Sequence, residues 1–534
     1  MVHYKGKITL LFVSIFVWLL VGCAKKTKDQ LLYDENMYSN QNFSDLFTDI
    51  SSVDAFFENN QTDDSIQAQV SEFYQRRDFQ FAWFNKTGMT DAVAIFYNKL
   101  QNYESDFADN SLNDSRLDTL YTSLEADEKG FMADTARVHH MELLLTTSFF
   151  IYSQKAYGGT TKNPKDLLWY IPRKKKNYQT LLDTLVSLTK GEKLQEPVNQ
   201  YYLRLKVALR QYRNIEKQGG FGGEIMGNKV LSIGSSDSVL LTVKRHLTLT
   251  NDLKTNDNSL FFTEPLQTSI INYQRRMGLV ENGTIDKPTR IELNRPVAYR
   301  IRQMMLNMER LRWVPVELEK DYLLINIPEF KIHVIENSKP IWEANVVVGK
   351  TAKRTSIFRG NISMIVFNPY WGIPTSIVKN EIVPKLQNNP NYLANNNIEV
   401  VDGYYRQRPG KNNALGQMKF MFPNNFHIYL HDTPAKGLFE ASKRAFSHGC
   451  IRVENPKKLA VYLLRNTAWH IKKIDNILTT ITETGVRINP TVPVYIFYFT
   501  AWIDNRGQLN FRNDVYGMDK RLAEVVFEQP NITQ

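Results

Sequence analysis

From about Asp45 to Gly234, apolar residues recur at mixed three- and four-residue spacing, as in Val138, Met141, Leu145, Phe149 and Tyr152, and this predicts helices. Gly158-Gly159 is expected to stop that helix. The cluster Phe73, Tyr74, Phe79, Phe81, Trp83 and Phe84 reads as core. A smaller helical unit follows from about Ser236 to Pro296. Val239, Leu240 and Val243 suggest one helix there, and Pro265 opens a second with Leu266, Ile270, Tyr273 and Met277 on one stripe, ended by Gly278. Ile301, Met304, Met305, Met308 and Leu311 give one more amphipathic helix before Trp313, its methionines read as core. At Tyr322 the pattern changes. Leu323 to Ile327, then Ile332, Val334 and Ile335, then Val346 to Val348 read as strands, with a turn at Glu336-Asn337. Further strands are expected at Met364 to Phe367 and at Phe426 to His431, the latter setting His427, Tyr429 and His431 on one face.

The apolar run Ile8 to Val21 behind Lys5 and Lys7 has the length of an export signal rather than a membrane span. It ends in Leu20-Val21-Gly22-Cys23, which resembles a bacterial lipobox; that resemblance implies cleavage before Cys23 and lipidation there, against the alternative of a short uncleaved anchor. The polar residues 24–30 suit a tether, and the expected address is the periplasmic face of a membrane, the outer one favoured. Without the signal 512 of the 534 residues remain, too many for one core, so two to four domains are expected. A hydrophobic content of 43% supports packed domains rather than disorder. The net charge of +11, about +9 without Lys5 and Lys7, favours an anionic partner; in an exported chain this points to wall carboxylates or lipid headgroups rather than nucleic acid.

The chain has two cysteines, so Cys450 has no disulfide partner in the folded part once Cys23 is assigned to the signal. It lies in Ser447-His448-Gly449-Cys450-Ile451-Arg452, with His431 nineteen residues before it. A thiol needs a base, oxyanion donors and something to orient the base. His431 is expected to be the base, in which case it should hold the thiol below its free pKa of roughly 8.5. Gly449 is expected to turn its amide, with that of Cys450, toward a carbonyl oxygen. His448 is expected to support the site, provided that Gly449 makes a turn. Metal is disfavoured: on a strand His427 and His431 would stand roughly 13 Å apart, and a set of His431, His448 and Cys450 has no acidic residue beside it. His139-His140 point about 100° apart on a helix and cannot readily share an ion. Arg173-Lys174-Lys175-Lys176 reads as a solvated loop.

At these residues the sequence resembles the L,D-transpeptidase family, whose pattern is a histidine, a gap, then Ser/Thr-His-Gly-Cys, a hydrophobic residue and Asn or Arg. Here fifteen residues, Asp432 to Phe446, fill the gap. The strings Asn368-Pro369-Tyr370-Trp371, Phe420-Met421-Phe422-Pro423 and Ile428 to Pro434 resemble its large periplasmic branch. The resemblance implies a multidomain α+β chain in which a helical scaffold with a small helical wall-binding domain precedes a β-rich catalytic domain. It implies Cys450 as nucleophile and His431 as base, with Ser447, His448, Gly449 and Arg452 in support. Tyr429 and Trp371 would line the cavity, Arg452 would hold the site together or meet a carboxylate, and neither metal nor cofactor would be needed. The departure Trp371-Gly372-Ile373-Pro374-Thr375, where the branch often has a second proline, touches the pocket rim. Tyr273-Gln274-Arg275-Arg276-Met277-Gly278-Leu279, with Asn282 to Asp286 and Thr289, resembles a small peptidoglycan-binding domain.

The expected division is signal 1–22, tether 23–44, helical scaffold 45–235, peptidoglycan-binding-like unit 236–296, connecting helix 297–320, catalytic domain 321–516 with a capping segment at about 376–425, and tail 517–534. The implied reaction is acyl transfer on peptidoglycan stem peptides, as donor and acceptor, through a Cys450 thioester to a 3→3 crosslink, with carbapenems as the matching inhibitors and the bilayer held through acylated Cys23. Water as acceptor would make a carboxypeptidase of the same site. A non-catalytic tether between membrane and wall is the alternative of another class.

Overall fold

The computed structural model describes residues 43–160, 162–189 and 191–527. The signal, the lipidation at Cys23, nearly all of the tether and the last residues of the tail lie outside them. The chain divides into two compact units, one of residues up to 94 with 114–150, the other of 95–113 with everything after 150. A helical N-terminal region is followed by a β-rich domain.

The first unit is built from short helices, among them Ile50–Asn59, Asp64–Gln75, Ser115–Ala126 and Glu128–Ala133. Each starts behind an aspartate, Asp49, Asp63, Asp114 or Asp127, whose carboxylate accepts a backbone N–H of the first turn. Phe73, Tyr74, Trp83 and Phe84 are fully buried between them, and Phe79 is half-buried. His139 meets the Thr48 hydroxyl at 2.7 Å while the His140 ring packs on Phe56, so the paired histidines do diverge.

In the second unit, helix Gln200–Lys217 packs along helix Val297–Arg312, whose Met304 and Met308 are fully buried. Helices Val239–Leu249 and Glu264–Met277 occur as the spacing predicts, the second closed by Gly278 at φ +68°, and a third, Lys287–Leu293, follows. The basic run at 173–176 is not wholly solvated: Arg173 and Lys176 donate to the carbonyls of Gly158 and Tyr157, and burial pulls the Lys176 ammonium down to about 7.

The β-domain is one sheet of nine strands: β1 (Tyr322–Asn326), β2 (Lys331–Glu336), β3 (Lys339–Gly349), β4 (Arg359–Phe367), β5 (Met418–Met421), β6 (Leu430–His431), β7 (Ala445–Ser447), β8 (Ile451–Val453) and β9 (Thr484–Phe497). Their order is β7-β3-β8-β6-β5-β4-β9-β1-β2, and β2 also pairs with β3, so the sheet closes on itself. One row across it, Val348, Ile451, Leu430, Phe420, Ile365 and Val486, is buried and fixes the register.

Three expectations need correction. Residues 426–431 do not form one strand. Asn424 accepts the N–H of Phe426 and of Ile428 and donates to the Phe422 and Ile428 carbonyls, which folds a turn with His427 at φ +55° and leaves two residues of strand. The capping segment does not reach 425, because β5 lies inside the main sheet between β6 and β4. The candidate cap is instead the helical stretch from Thr375 to Asn395 with a small sheet of Trp371–Gly372, Ile398–Val401 and Tyr404–Gln407. Finally, the tail begins with a helix, Met518–Val526, held to the domain by Asp519, which pairs with Arg310 at 2.5 Å and accepts from Thr500 at 2.7 Å.

Candidate functional site

The sheet register assembles the site. Next to the buried row runs a second one on the opposite face, with Lys419 on β5 opposite His431 on β6, and His431 opposite Arg452 on the parallel neighbour β8. The ladder continues one step, since the Ile451 N–H donates to the Tyr429 carbonyl at 3.1 Å. Side chains two apart share a face, so Tyr429 and Cys450 stand beside His431 and Arg452. The Tyr429 and His431 rings meet edge to face, centroids 5.7 Å apart. The Tyr429 hydroxyl lies close to the Cys450 thiol and to the Trp371 side chain, which arrives from the cap.

His431 is buried and its orientation is set from the backbone. Its Nδ1 lies 2.5 Å from the carbonyl oxygen of Asp432, so Nδ1 carries the proton and donates, and Nε2 keeps its lone pair. Asp432 is itself pinned: its carboxylate accepts from Thr433 N at 2.7 Å, Gln417 N at 2.9 Å and the Lys436 ammonium at 2.5 Å. Gly416 packs so closely on that carboxylate that a Cβ would stand 2.4 Å from it. Burial, with the nearby Arg452 charge, pulls His431 down to about 3, against the Asp432 hydrogen bond. The imidazole is therefore neutral.

The turn that carries Cys450 is locked from below. Ser447, buried, donates its hydroxyl to the Cys450 carbonyl at 2.5 Å and accepts the Gly449 N–H at 3.1 Å. Gly449 sits at φ +120°, a conformation that side chains rarely adopt, and its carbonyl accepts the Thr355 hydroxyl at 2.8 Å. The Gly449 amide is thus committed to Ser447 and does not face outward as expected; the Cys450 amide is the remaining candidate oxyanion donor. The turn swings His448 out to solvent, where its Nε2 lies 3.1 Å from Glu381 in the cap.

The half-buried Cys450 thiol contacts the His427 carbonyl at 3.7 Å. Burial pushes its pKa up, opposed by hydrogen bonding to Tyr429 and by the charges of Lys419 and Arg452. The expected depression of the thiol by its histidine partner is not found, because a neutral imidazole brings no charge. Arg452 holds a half-buried guanidinium with a buried Nε that has no hydrogen-bond partner. Sequence reasoning missed Thr355, the carbonyls of Asp432 and His427, and Lys419. None of them left a clear signal: around Lys419, Met418, Phe420 and Met421 are all apolar, and only the structure shows which of them are buried.

With this geometry in place, residues 320–494 match the family model of the L,D-transpeptidase catalytic domain. This part of the chain is similar to the L,D-transpeptidase family. Residues 68–209 match a family model described as a scaffold domain. A Haemophilus influenzae protein named provisionally as an L,D-transpeptidase is 33% identical over 248 residues, which are 42% of this chain and 50% of that protein. The chain thus spans about half the length of this curated relative. Among solved structures, an L,D-transpeptidase from Stackebrandtia nassauensis is similar at 12% identity over 52% of this chain and 97% of that one, with a TM-score of 0.23. One from Mycobacterium smegmatis is similar at 12% identity over 33% and 58%, with a TM-score of 0.19. All the catalytic candidates fall within the matched residues 320–494.

Proposed function

We propose that the chain is a cysteine L,D-transpeptidase that joins peptidoglycan stem peptides through a Cys450 thioester. The observation that carries this reading is the fixed tautomer of His431, whose unprotonated Nε2 shares a sheet face with the thiol. Because burial raises the thiol pKa and lowers that of the imidazole, the resting pair is neutral on both sides. Proton transfer from Sγ to Nε2 accompanies attack on the carbonyl of the third stem residue, and the Arg452 charge stabilises the anion formed. The imidazolium then protonates the departing amine, the terminal D-amino acid leaves, and a thioester remains. An amine of a second stem attacks it, gives its proton to His431, and closes the 3→3 link as the thiol is restored.

Tyr429 and Trp371 form one wall of the donor site. By its sequence resemblance the unit 236–296 would hold the wall, and the lipid at Cys23 would tether the enzyme to a membrane facing the periplasm. The test is mass spectrometry of the intact protein with a carbapenem and with a tetrapeptide stem: an adduct on Cys450 in both supports the reading, and an unmodified Cys450 with both removes it. Product analysis with an amine acceptor present distinguishes crosslinking from hydrolysis.

A further inference from the structure

Lys419 is a cation placed beside a nucleophile. It stands opposite His431 across the β5–β6 pair and opposite Val366 across β4, so its side chain shares the face of His431, Arg452 and Cys450. Its ammonium lies 4.1 Å from the centroid of the Tyr429 ring, the ring that stands beside the thiol. The side chain is half-buried, and among the described residues it makes no ion pair with a carboxylate. The acid that acts on it through space, Glu483, already accepts the Tyr370 N–H at 2.8 Å. A half-buried charge without a carboxylate opposite it costs stability, and the Tyr429 face returns only part of that.

The chemistry of the proposed donor offers an anion at this place. In a peptide cleaved before its last residue, the free carboxylate of that residue is three bonds from the scissile carbonyl carbon. A carbonyl poised over Cys450 therefore brings a carboxylate into the neighbourhood of the ring that Lys419 covers. Resting on the transpeptidase reading, we infer that Lys419 binds the terminal carboxylate of the donor stem, so that the enzyme selects donors whose leaving residue is the chain end with a free acid. Neutral at Nε2, His431 cannot do this. Arg452, on the far side of His431, is the competing cation, and the test separates the two.

The full chain is assayed for Cys450 acylation with two tetrapeptide donors that differ in one group, a terminal acid or a terminal carboxamide. The native enzyme is expected to prefer the acid in kcat/KM by about tenfold or more, the scale of one hydrogen bond between charged groups. Lys419→Met should collapse that preference, Lys419→Arg should keep part of it, and alkylation of Cys450 by neutral iodoacetamide should change far less than acylation does. A native enzyme that takes both donors equally overturns the inference. So does a Lys419→Met enzyme that still prefers the acid, a preference lost only in Arg452→Gln, or an alkylation rate that falls as far as acylation, which would place Lys419 on the thiol instead of the substrate. If neither donor acylates a Cys450 that iodoacetamide still modifies, the transpeptidase reading fails and takes this inference with it.

Discussion

Two buried polar clusters in this chain are built from similar parts and have different ends. In the first unit, Glu142 is fully buried, and its carboxyl accepts from Ala82 N at 2.6 Å, Trp83 N at 3.0 Å and the Tyr74 hydroxyl at 2.8 Å. Burial pushes it up to about 7, yet both oxygens are occupied by groups of the protein. In the β-domain, His431 is equally buried, but only Nδ1 is bound, Arg452 has an unpartnered Nε, and Lys419 has no ion pair among the described residues. A perturbed pKa alone does not mark a site. What separates the two clusters is bonding capacity that the protein leaves unused.

The comparison breaks first at Cys450. Cys450→Ala should abolish stem acylation and the carbapenem adduct while shifting the melting temperature little, since the half-buried thiol covers little area; residual turnover would end the reading. His431→Ala should cost about 10² to 10⁴-fold in acylation, and His448→Ala much less, because His448 faces Glu381 and not the thiol. Equal losses would move the base. Glu142→Ala should instead act on stability, by about 3 kcal/mol in chemical denaturation, as three buried donors lose their acceptor. A variant as stable as the parent would mean that the cluster is not sealed.

Two pH effects are smaller. His431 and His246 are both held at about 3 by burial, against roughly 6.5 in the unfolded chain. Between those values the unfolded state binds more protons, so stability should fall as pH drops from 6.5 toward 3. His431→Gln should flatten part of that slope in urea titrations. Iodoacetamide alkylation of Cys450 should keep rising above pH 9, and His431→Ala should barely move that midpoint; a rate already level at pH 7 would show a preformed thiolate.

Much of this arrangement was readable in the sequence. The change of period at Tyr322 marks the sheet, and Pro265 and Gly278 bound their helix. What escaped was set by tertiary pairing. Met418–Met421 lies within a stretch rich in turns and polar residues, and only its place between two strands makes it core. With that strand unseen, Lys419 was unseen too. The turn at 424–427 was read as strand because Phe426, Ile428 and Leu430 alternate, and one asparagine side chain overrides the alternation. The groups that His431 Nδ1 and the Cys450 thiol contact are backbone carbonyls, which every residue has and no pattern announces.

The two-residue strand Leu430–His431 has a further implication. Its alignment with Ile451–Arg452 is dictated by Leu430 and Ile451, both fully enclosed, and not by the span that joins them. Most of that span, from Ala435 to Arg444, is open to solvent, so its length is a free variable of the architecture. Apart from Lys436, which holds Asp432, and the buried Phe439, residues inserted or removed there should leave thiol and imidazole in step, so this excursion can change length without disturbing the pairing of the two strands.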